Sequence, residues 1–256
     1  MEQGQDDYGF NIGKLKNIGF QMATGMKDIK FSHFIFSDID HIPDTVLHKY
    51  YLTPPKDNSP MTLAALGTRW QDEKQYELSK KRKIKPFMGA VCSFTRKSFE
   101  AINGYPNNYY GWGGEDDDLL LRCHKASYHI AYPKNGRVID LEQISDKTID
   151  SKEKNQYLKE NKLGDMTRYE KILLTKENSS ENGLSNLSNL FEVTKTKNNV
   201  EGYSNCIQYT VNLQKEKEME LFPQWFPPED KEAEPKKKAL FDKTRWTFVV
   251  LDSDML

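Results

Sequence analysis

Apolar residues recur at helical spacing near the start of the chain, between residues 8 and 29. Their intervals predict an amphipathic helix with one buried stripe. That stripe comprises Phe10, Leu15, Ile18, Phe20, Met22 and Met26. Two short apolar runs, 34–36 and 87–94, are rich in aromatic and β-branched residues, which predicts buried strands.

The central part of the chain alternates between helical and strand patterns. Residues 96–102 predict a helix that is closed by Asn103-Gly104. A second helix is predicted over 119–127, and a strand over 128–133. Strands that alternate with helices in this way are typical of an α/β fold.

Composition excludes several classes of protein. The 256 residues are 37% apolar and 29% charged, with a net charge of −1, which is typical of a globular chain with one main domain. The balanced net charge predicts no nucleic-acid partner. The short basic run 79–83 does not change this prediction, because it is best explained as a solvated loop. No run reaches the roughly 18 apolar residues of a membrane span, and the N-terminus lacks the pattern of a signal peptide. We expect no membrane-spanning segment, and a location that is cytoplasmic or unknown.

Two aspartates follow the first predicted strand. Asp38 and Asp40 end the run that begins at Phe34, and the alternation of a strand would place both on the same side. Carboxylate oxygens at that spacing suit a hard cation such as Mn²⁺ or Mg²⁺, which in turn binds diphosphate oxygens. We therefore predict a metal-assisted nucleotide site here.

A glycine-rich turn, Gly111-Trp112-Gly113-Gly114, precedes four consecutive carboxylates, Glu115–Asp118. The glycines predict positive φ values or a close approach of the backbone. Four adjacent like charges repel one another unless a cation, a sugar or helix-terminus donors satisfy them. One explanation is a solvated helix cap, because acidic residues suit the first turn of a helix. The tryptophan within the glycine frame favours the other explanation, a pocket in which an aromatic ring and acidic groups grip a sugar.

The segment 102–118, which we call the signature segment, closely resembles the signature of the β-1,4-galactosyltransferase family, in its C-terminal catalytic region. Shorter stretches at 36–43, 87–91, 183–187 and 209–213 resemble other parts of that family in the same order. The resemblance implies a GT-A-like nucleotide-sugar-binding fold, with a mixed central sheet flanked by helices. We expect a catalytic domain over 1–214 and a charged, aromatic C-terminal extension over 215–256, which is either a docking tail for a partner or an added strand.

The resemblance also implies an activity. We expect an inverting, metal-dependent glycosyltransferase that moves a sugar, galactose or an N-acetylhexosamine, from a UDP-sugar donor to a hydroxyl of a saccharide or glycoconjugate acceptor. By position Asp116 is the catalytic base, supported by Glu115, which together with Asp117 would bind sugar hydroxyls. Trp112, Gly113 and Gly114 would close over the donor. The remaining expected contacts are Phe87 to the donor sugar, Asn11 and Asp38 to the nucleotide, and Asp40 and Glu142 to Mn²⁺ or Mg²⁺.

Several positions depart from the family pattern. Asn11 is followed by Ile12 where the family has arginine, and the family's nucleotide-binding strand would precede Met1, so we expect an N-terminally incomplete fold. The stretch 138–145 lacks the family's Met-x-x-His metal pair, which leaves Glu142, or Asp140, to complete an all-oxygen site. An alternative hypothesis is therefore a non-catalytic sugar-binding or scaffold protein on a degenerate glycosyltransferase fold.

Overall fold

The computed structural model describes residues 1–4, 9–64, 88–111, 113–141, 172, 175, 179–198, 206–223 and 248–251. Three of the predicted site residues, Phe87, Trp112 and Glu142, lie outside the described residues. Their roles stay predictions. No helix in the described part has both the length and the apolar character that crossing a membrane requires.

Short elements make up most of the described chain. Its helices are α1 (Ile12–Thr24), α2 (His48–Leu52), α3 (Arg96–Ala101), α4 (Glu115–Lys125) and α5 (Lys215–Leu221), with 3₁₀ turns at Thr45–Leu47 and Leu184–Asn186. Its strands are β1 (Glu2–Gln3), β2 (Phe34–Ser37), β3 (His41–Pro43), β4 (Met61–Thr62), β5 (Val91–Phe94), β6 (Ile130–Pro133), β7 (Val138–Asp140), β8 (Phe191–Asn198), β9 (Ile207–Leu213) and β10 (Phe248–Leu251).

The chain divides into two compact units. Unit 1 comprises Met1–Ile29, Asn103–Asp118 and Asn161–Leu240, and unit 2 comprises Lys30–Ile102, Leu119–Glu160 and Phe241–Leu256. Within each unit the described strands form sheets of their own.

Unit 1 combines helix α1 with a three-stranded sheet of order β1-β9-β8, in which β1 is parallel and β8 antiparallel to β9. The helix begins where the side chain of Asn11 accepts a hydrogen bond from the N–H of Lys14. The buried cluster comprises Leu15, Ile18, Tyr110, Leu187, Val211 and Leu213. The predicted stripe is therefore only partly correct: Leu15, Ile18 and Phe20 are buried, whereas Phe10 is exposed.

Unit 2 contains a five-stranded mixed sheet of order β10-β6-β4-β5-β2. Its β10, β6 and β4 are parallel, whereas β5 is antiparallel to both β4 and β2. Strand β10 thus adds a strand from the C-terminal extension to the edge of the sheet. Towards the other edge of the sheet, Phe36 on β2 and Phe94 on β5 pack with Phe99 of α3, and the ring centroids of Phe36 and Phe99 are 4.5 Å apart.

Local capping explains where α3 begins and ends. The hydroxyl of Thr95 accepts a hydrogen bond from the N–H of Ser98 and so caps the helix at its N-terminus. Asn103 and Gly104 then adopt φ values of 61° and 63°, in the left-handed region that ends helices. The predicted helix and its closing residues are both confirmed.

The strand that precedes the two aspartates does not continue through them. β2 ends at Ser37, and residues 38–41 form a turn in which the N–H of His41 donates to the carbonyl of Asp38 at 3.3 Å. Ile39 is fully exposed, because the turn directs it to solvent rather than to the opposite face of a sheet. Strand alternation is therefore the wrong explanation for how Asp38 and Asp40 are placed.

Candidate functional site

The four carboxylates form the first turn of helix α4. Gly111, Gly113 and Gly114, which precede them, have φ values of 92°, 86° and 102°, so the predicted need for glycine is confirmed. The N–H of Asp118 already donates to the carbonyl of Gly114 at 2.9 Å. Negative charge in this turn is stabilised by the helix dipole. A helix cap and a binding site are thus compatible explanations of the same residues.

Burial divides the four carboxylates into two pairs. Asp117 and Asp118 are buried, with 8% and 2% of their surface exposed, whereas Glu115 and Asp116 are half-buried. Oδ2 of Asp118 accepts hydrogen bonds from the hydroxyl of Tyr109, at 3.2 Å, and from that of Thr175. Asp118 therefore anchors the turn, while Glu115 and Asp116 are the pair that a substrate can reach.

The side chain of Asp116 is held in one orientation. Its Oδ1 accepts a hydrogen bond from the backbone N–H of Asp117 at 2.8 Å. A charge-assisted bond to a backbone donor limits the rotamers that this carboxylate can adopt. The fixed Oδ1 leaves the position of Oδ2 defined as well, which suits a group that must meet a substrate proton.

Buried asparagine side chains connect the signature segment to other parts of unit 1 through hydrogen bonds. Asn107 donates through Nδ2 to the carbonyl of Gly183 at 2.7 Å and to Oδ1 of Asn186 at 2.8 Å. Its own Oδ1 accepts a bond from Asn17, which lies on α1, at 2.9 Å. Amide side chains suit this work because each offers both donors and an acceptor. They join three parts of unit 1 that are distant in sequence.

Asn11 is fully buried beside this network. Its Oδ1 caps α1 by accepting from the N–H of Lys14 at 2.9 Å, and its Nδ2 donates to the carbonyl of Asn107 at 2.6 Å. Both functional atoms of the amide thus contact the protein's own backbone. The structure gives Asn11 a place in the scaffold of the signature segment, and its contact to a nucleotide stays a prediction.

Asp38 and Asp40 both approach one histidine, in the turn that follows β2. Nδ1 of His41 lies 3.7 Å from Oδ2 of Asp38 and 3.2 Å from Oδ1 of Asp40, and the imidazole is nine-tenths buried. The turn therefore brings the two carboxylates to the same point, although not by strand alternation. His41 is not among the site residues predicted from the sequence, although a histidine directly after an Asp-x-Asp pair offers a nearby nitrogen.

The donor atoms of this turn fit a divalent cation in their chemistry. Carboxylate oxygens suit Mn²⁺ or Mg²⁺. They do not form a complete set, because no group of three acidic, histidine or cysteine side chains in the described residues is arranged to hold a metal. The N–H of Leu141 donates to the carbonyl of Asp40 at 2.8 Å, so the chain passes Asp40 immediately before Glu142. Glu142 itself lies outside the described part of the chain.

Comparison with known proteins agrees with the motifs. A family model described as the N-terminal domain of galactosyltransferase matches residues 73–145. Rat β-1,4-galactosyltransferase 6 is 33% identical over 178 residues, which cover 70% of this chain and 40% of the relative. Mouse β-1,4-galactosyltransferase 1 is 32% identical over 203 residues, or 73% of this chain and 44% of the relative.

The chain belongs to the galactosyltransferase family. It spans less than half the length of the curated relatives it matches. The signature segment falls inside the range that the family model matches, so the motif and the model identify the same part of this galactosyltransferase-family chain.

Solved structures show the fold. The catalytic domain of Drosophila β1,4-galactosyltransferase 7, in complex with xylobiose, superposes with a TM-score of 0.57 at 19% identity, covering 86% of this chain and 81% of that one. A mutant of that enzyme, in complex with manganese, UDP-Gal and xylobiose, gives a TM-score of 0.52 at 18% identity, with the same coverage. This galactosyltransferase-family chain therefore has the predicted GT-A-like α/β fold.

Proposed function

We propose that this chain carries the catalytic region of a metal-dependent glycosyltransferase that uses a UDP-sugar donor and a saccharide acceptor. The observation that carries the proposal is the half-buried carboxylate of Asp116, oriented by the N–H of Asp117 at the start of α4. Family membership supports the reaction class, and the related Drosophila enzyme with manganese, UDP-Gal and xylobiose supports galactose as the first donor to test.

Asp116 acts as the general base in this proposal. Its carboxylate takes the proton of the acceptor hydroxyl while that oxygen bonds to the anomeric carbon of the donor sugar. The bond from the anomeric carbon to the diphosphate breaks in the same step, and UDP leaves with the bonding electron pair. A single displacement of this kind inverts the configuration at the anomeric carbon.

The neighbours of Asp116 position the sugars. Glu115 shares its half-buried edge of the helix turn and accepts hydrogen bonds from donor or acceptor hydroxyls. Asp117, with 8% of its surface exposed, offers a smaller face for the same purpose. The positive φ values of Gly113 and Gly114 allow the backbone to approach the sugar closely. Trp112 and Phe87 complete the donor pocket in this proposal.

Asp40 and Asp38 would hold the cation, with Glu142 as the next candidate ligand along the chain. When bound, a divalent cation supplies positive charge that stabilises the departing diphosphate. The turn of residues 38–41 contributes by holding one oxygen of each carboxylate beside Nδ1 of His41, so that the two side chains start close together.

The proposal is tested with the full chain and a panel of donors and acceptors. UDP-galactose and UDP-N-acetylhexosamines are each incubated with saccharide acceptors, including xylobiose, in the presence of Mn²⁺, Mg²⁺ or EDTA. We expect transfer of labelled sugar and release of UDP that depend on the cation. Saccharide binding without transfer, and without metal-dependent UDP binding by calorimetry, would instead support the non-catalytic alternative.

A further inference from the structure

Three polar side chains meet inside unit 1, far from one another in sequence. Nζ of Lys14, on α1, lies 2.5 Å from Oε2 of Glu218, on α5, and both side chains are completely buried. The hydroxyl of Tyr110 donates to the same Oε2 at 3.0 Å and accepts from Nζ of Lys14 at 2.8 Å. Each member of this buried triad thus contacts the other two.

Glu218 belongs to the C-terminal extension that the sequence predicts from residue 215 onwards. Helix α5 begins after Gln214, whose N–H donates to the carbonyl of Leu190 at 2.9 Å. Glu218 is the buried residue of this helix, while the neighbouring Lys217, Met219 and Glu220 are exposed. A helix that buries a carboxylate and exposes a methionine is not packed for hydrophobic stability.

Burial of this carboxylate is costly. Desolvation raises the pKa of Glu218 above its ordinary value, and the ammonium of Lys14 and the hydroxyl of Tyr110 act in the opposite direction. Among the described residues, its second oxygen, Oε1, has no hydrogen-bond partner. Buried ion pairs often stabilise a protein no better than apolar residues of the same size. Stability alone therefore does not explain the triad.

The triad instead fixes the start of the glycine turn. Tyr110 stands directly before Gly111, and its ring also lies 5.2 Å from Nζ of Lys215. The N–H of Gly111 donates to the carbonyl of Phe10 at 2.9 Å, so the next residue is held by the segment before α1. A Cβ added to Gly9 would lie 3.1 Å from the nitrogen of Gly111, which shows how closely these segments pack.

We propose that Lys14 and Glu218 are positioning residues that act through Tyr110 on Gly111 and the glycines that follow it, and through them on Glu115 and Asp116. Helix α5 is then part of the sugar site's support and not a separable tail. The inference rests on the proposed function for its effect on turnover. Its effect on the order of the turn is independent of any activity.

The test removes the charges of Lys14 and Glu218 together, so that neither charge is left buried without its partner. Lys14→Met/Glu218→Leu keeps the volume of the pair roughly constant, removes both charges, and takes from the Tyr110 hydroxyl its hydrogen bonds to Lys14 and Glu218. Lys217→Met/Glu220→Leu makes the same chemical changes at exposed positions of α5 and is the matched control. Tyr110→Phe removes the hydroxyl alone, so it decides the question if the double variant does not fold.

Three quantities are measured on the full chain: melting temperature, hydrogen exchange of the amides between residues 109 and 116, and steady-state kinetics with a UDP-sugar. We expect the double variant to melt near the wild-type temperature but to exchange these amides faster. We also expect kcat/KM to fall about tenfold or more, because small displacements of reacting groups lower the reaction rate strongly. The control should match wild type in all three.

Double-mutant logic then separates positioning from packing. Adding Tyr110→Phe to the double variant should change exchange and turnover little, because the hydroxyl has already lost these two partners. Native exchange and native kinetics in a folded Lys14→Met/Glu218→Leu protein would overturn the inference, as would native behaviour of Tyr110→Phe. If the wild-type chain transfers no sugar, the proposed function fails, and hydrogen exchange alone still decides whether the triad orders the turn.

Discussion

The backbone N–H of Asn107 donates a hydrogen bond to Oδ1 of Asn182 at 2.8 Å, across 75 residues of sequence. Nδ2 of Asn182 in turn donates to Oδ1 of Asn108 at 2.8 Å. One buried amide thus satisfies two consecutive residues of the signature segment. Because buried polar groups that lose a partner cost free energy, this amide fixes the path of the chain towards the carboxylates.

We expect Asn182→Ala to lower the free energy of unfolding by about 1–3 kcal/mol, because the N–H of Asn107 and the amide oxygen of Asn108 both lose this partner. Urea unfolding followed by circular dichroism measures the change. Ser188→Ala, at an exposed position of the same segment, should alter stability by less than about 0.5 kcal/mol. Equal stability of the two variants would contradict the structural role of Asn182.

Two glycines of α1 should respond oppositely to the same substitution. A Cβ at Gly13 would lie 3.0 Å from the backbone oxygen of Pro106, which cannot move freely, whereas at Gly19 it would meet only the flexible end of Met1 at 3.2 Å. Gly13→Ala should therefore destabilise by about 1–3 kcal/mol through overpacking. Gly19→Ala should instead stabilise by up to about 1 kcal/mol, through helix propensity. Thermal unfolding of both variants checks the signs, and a stabilised Gly13→Ala protein would refute the close packing.

Two carboxylates of α4, Asp116 and Asp118, should contribute differently to the free energy of unfolding. Asp118→Ala removes the acceptor for the hydroxyls of Tyr109 and Thr175 in a buried position, so we expect a loss of about 1–3 kcal/mol of unfolding free energy. Asp116→Asn, at a half-buried position, should cost less than about 1 kcal/mol. Chemical denaturation of the two variants compares them, and the reverse order of stabilities would be incompatible with the assigned roles.

Metal-dependent nucleotide binding should require Asp40. Asp40→Asn keeps the shape of the side chain but removes a charged oxygen from the group around His41, so UDP should bind at least about tenfold more weakly in Mn²⁺. In EDTA the variant and the wild type should bind UDP alike. Asp28→Asn, at an exposed position elsewhere, is the control. Calorimetric titration gives the affinities, and unaltered Mn²⁺-dependent binding would exclude Asp40 as a ligand.

Local signals in the sequence were sufficient for part of the structure. Helix α3 closes at Asn103-Gly104 as predicted, because helix caps depend on neighbouring residues alone. The glycines of the signature segment likewise adopt the positive φ values that their pattern predicts. The resemblance of the motif, and not periodicity, was what identified the family and its fold.

Other features depend on residues that are distant in sequence and could not be predicted. Apolar spacing assigned Phe10 to the core of α1, but the structure buries Lys14 and Asn17 there, because their partners are Glu218 and Asn107. The placement of Asp38 and Asp40 was predicted for the wrong reason. An apolar residue between two aspartates resembles strand alternation, whereas the hydrogen bond from the N–H of His41 to Asp38 and the full exposure of Ile39 show that the chain turns there.

Turnover by Asp116→Asn decides whether this carboxylate is the base in a metal-dependent sugar transfer. UDP binding in Mn²⁺ and transfer of labelled galactose are measured in parallel for the variant and the wild type. The account predicts that binding changes little while transfer falls by about 10²-fold or more, because the amide cannot accept the acceptor's proton. Turnover equal to that of the wild type would contradict it.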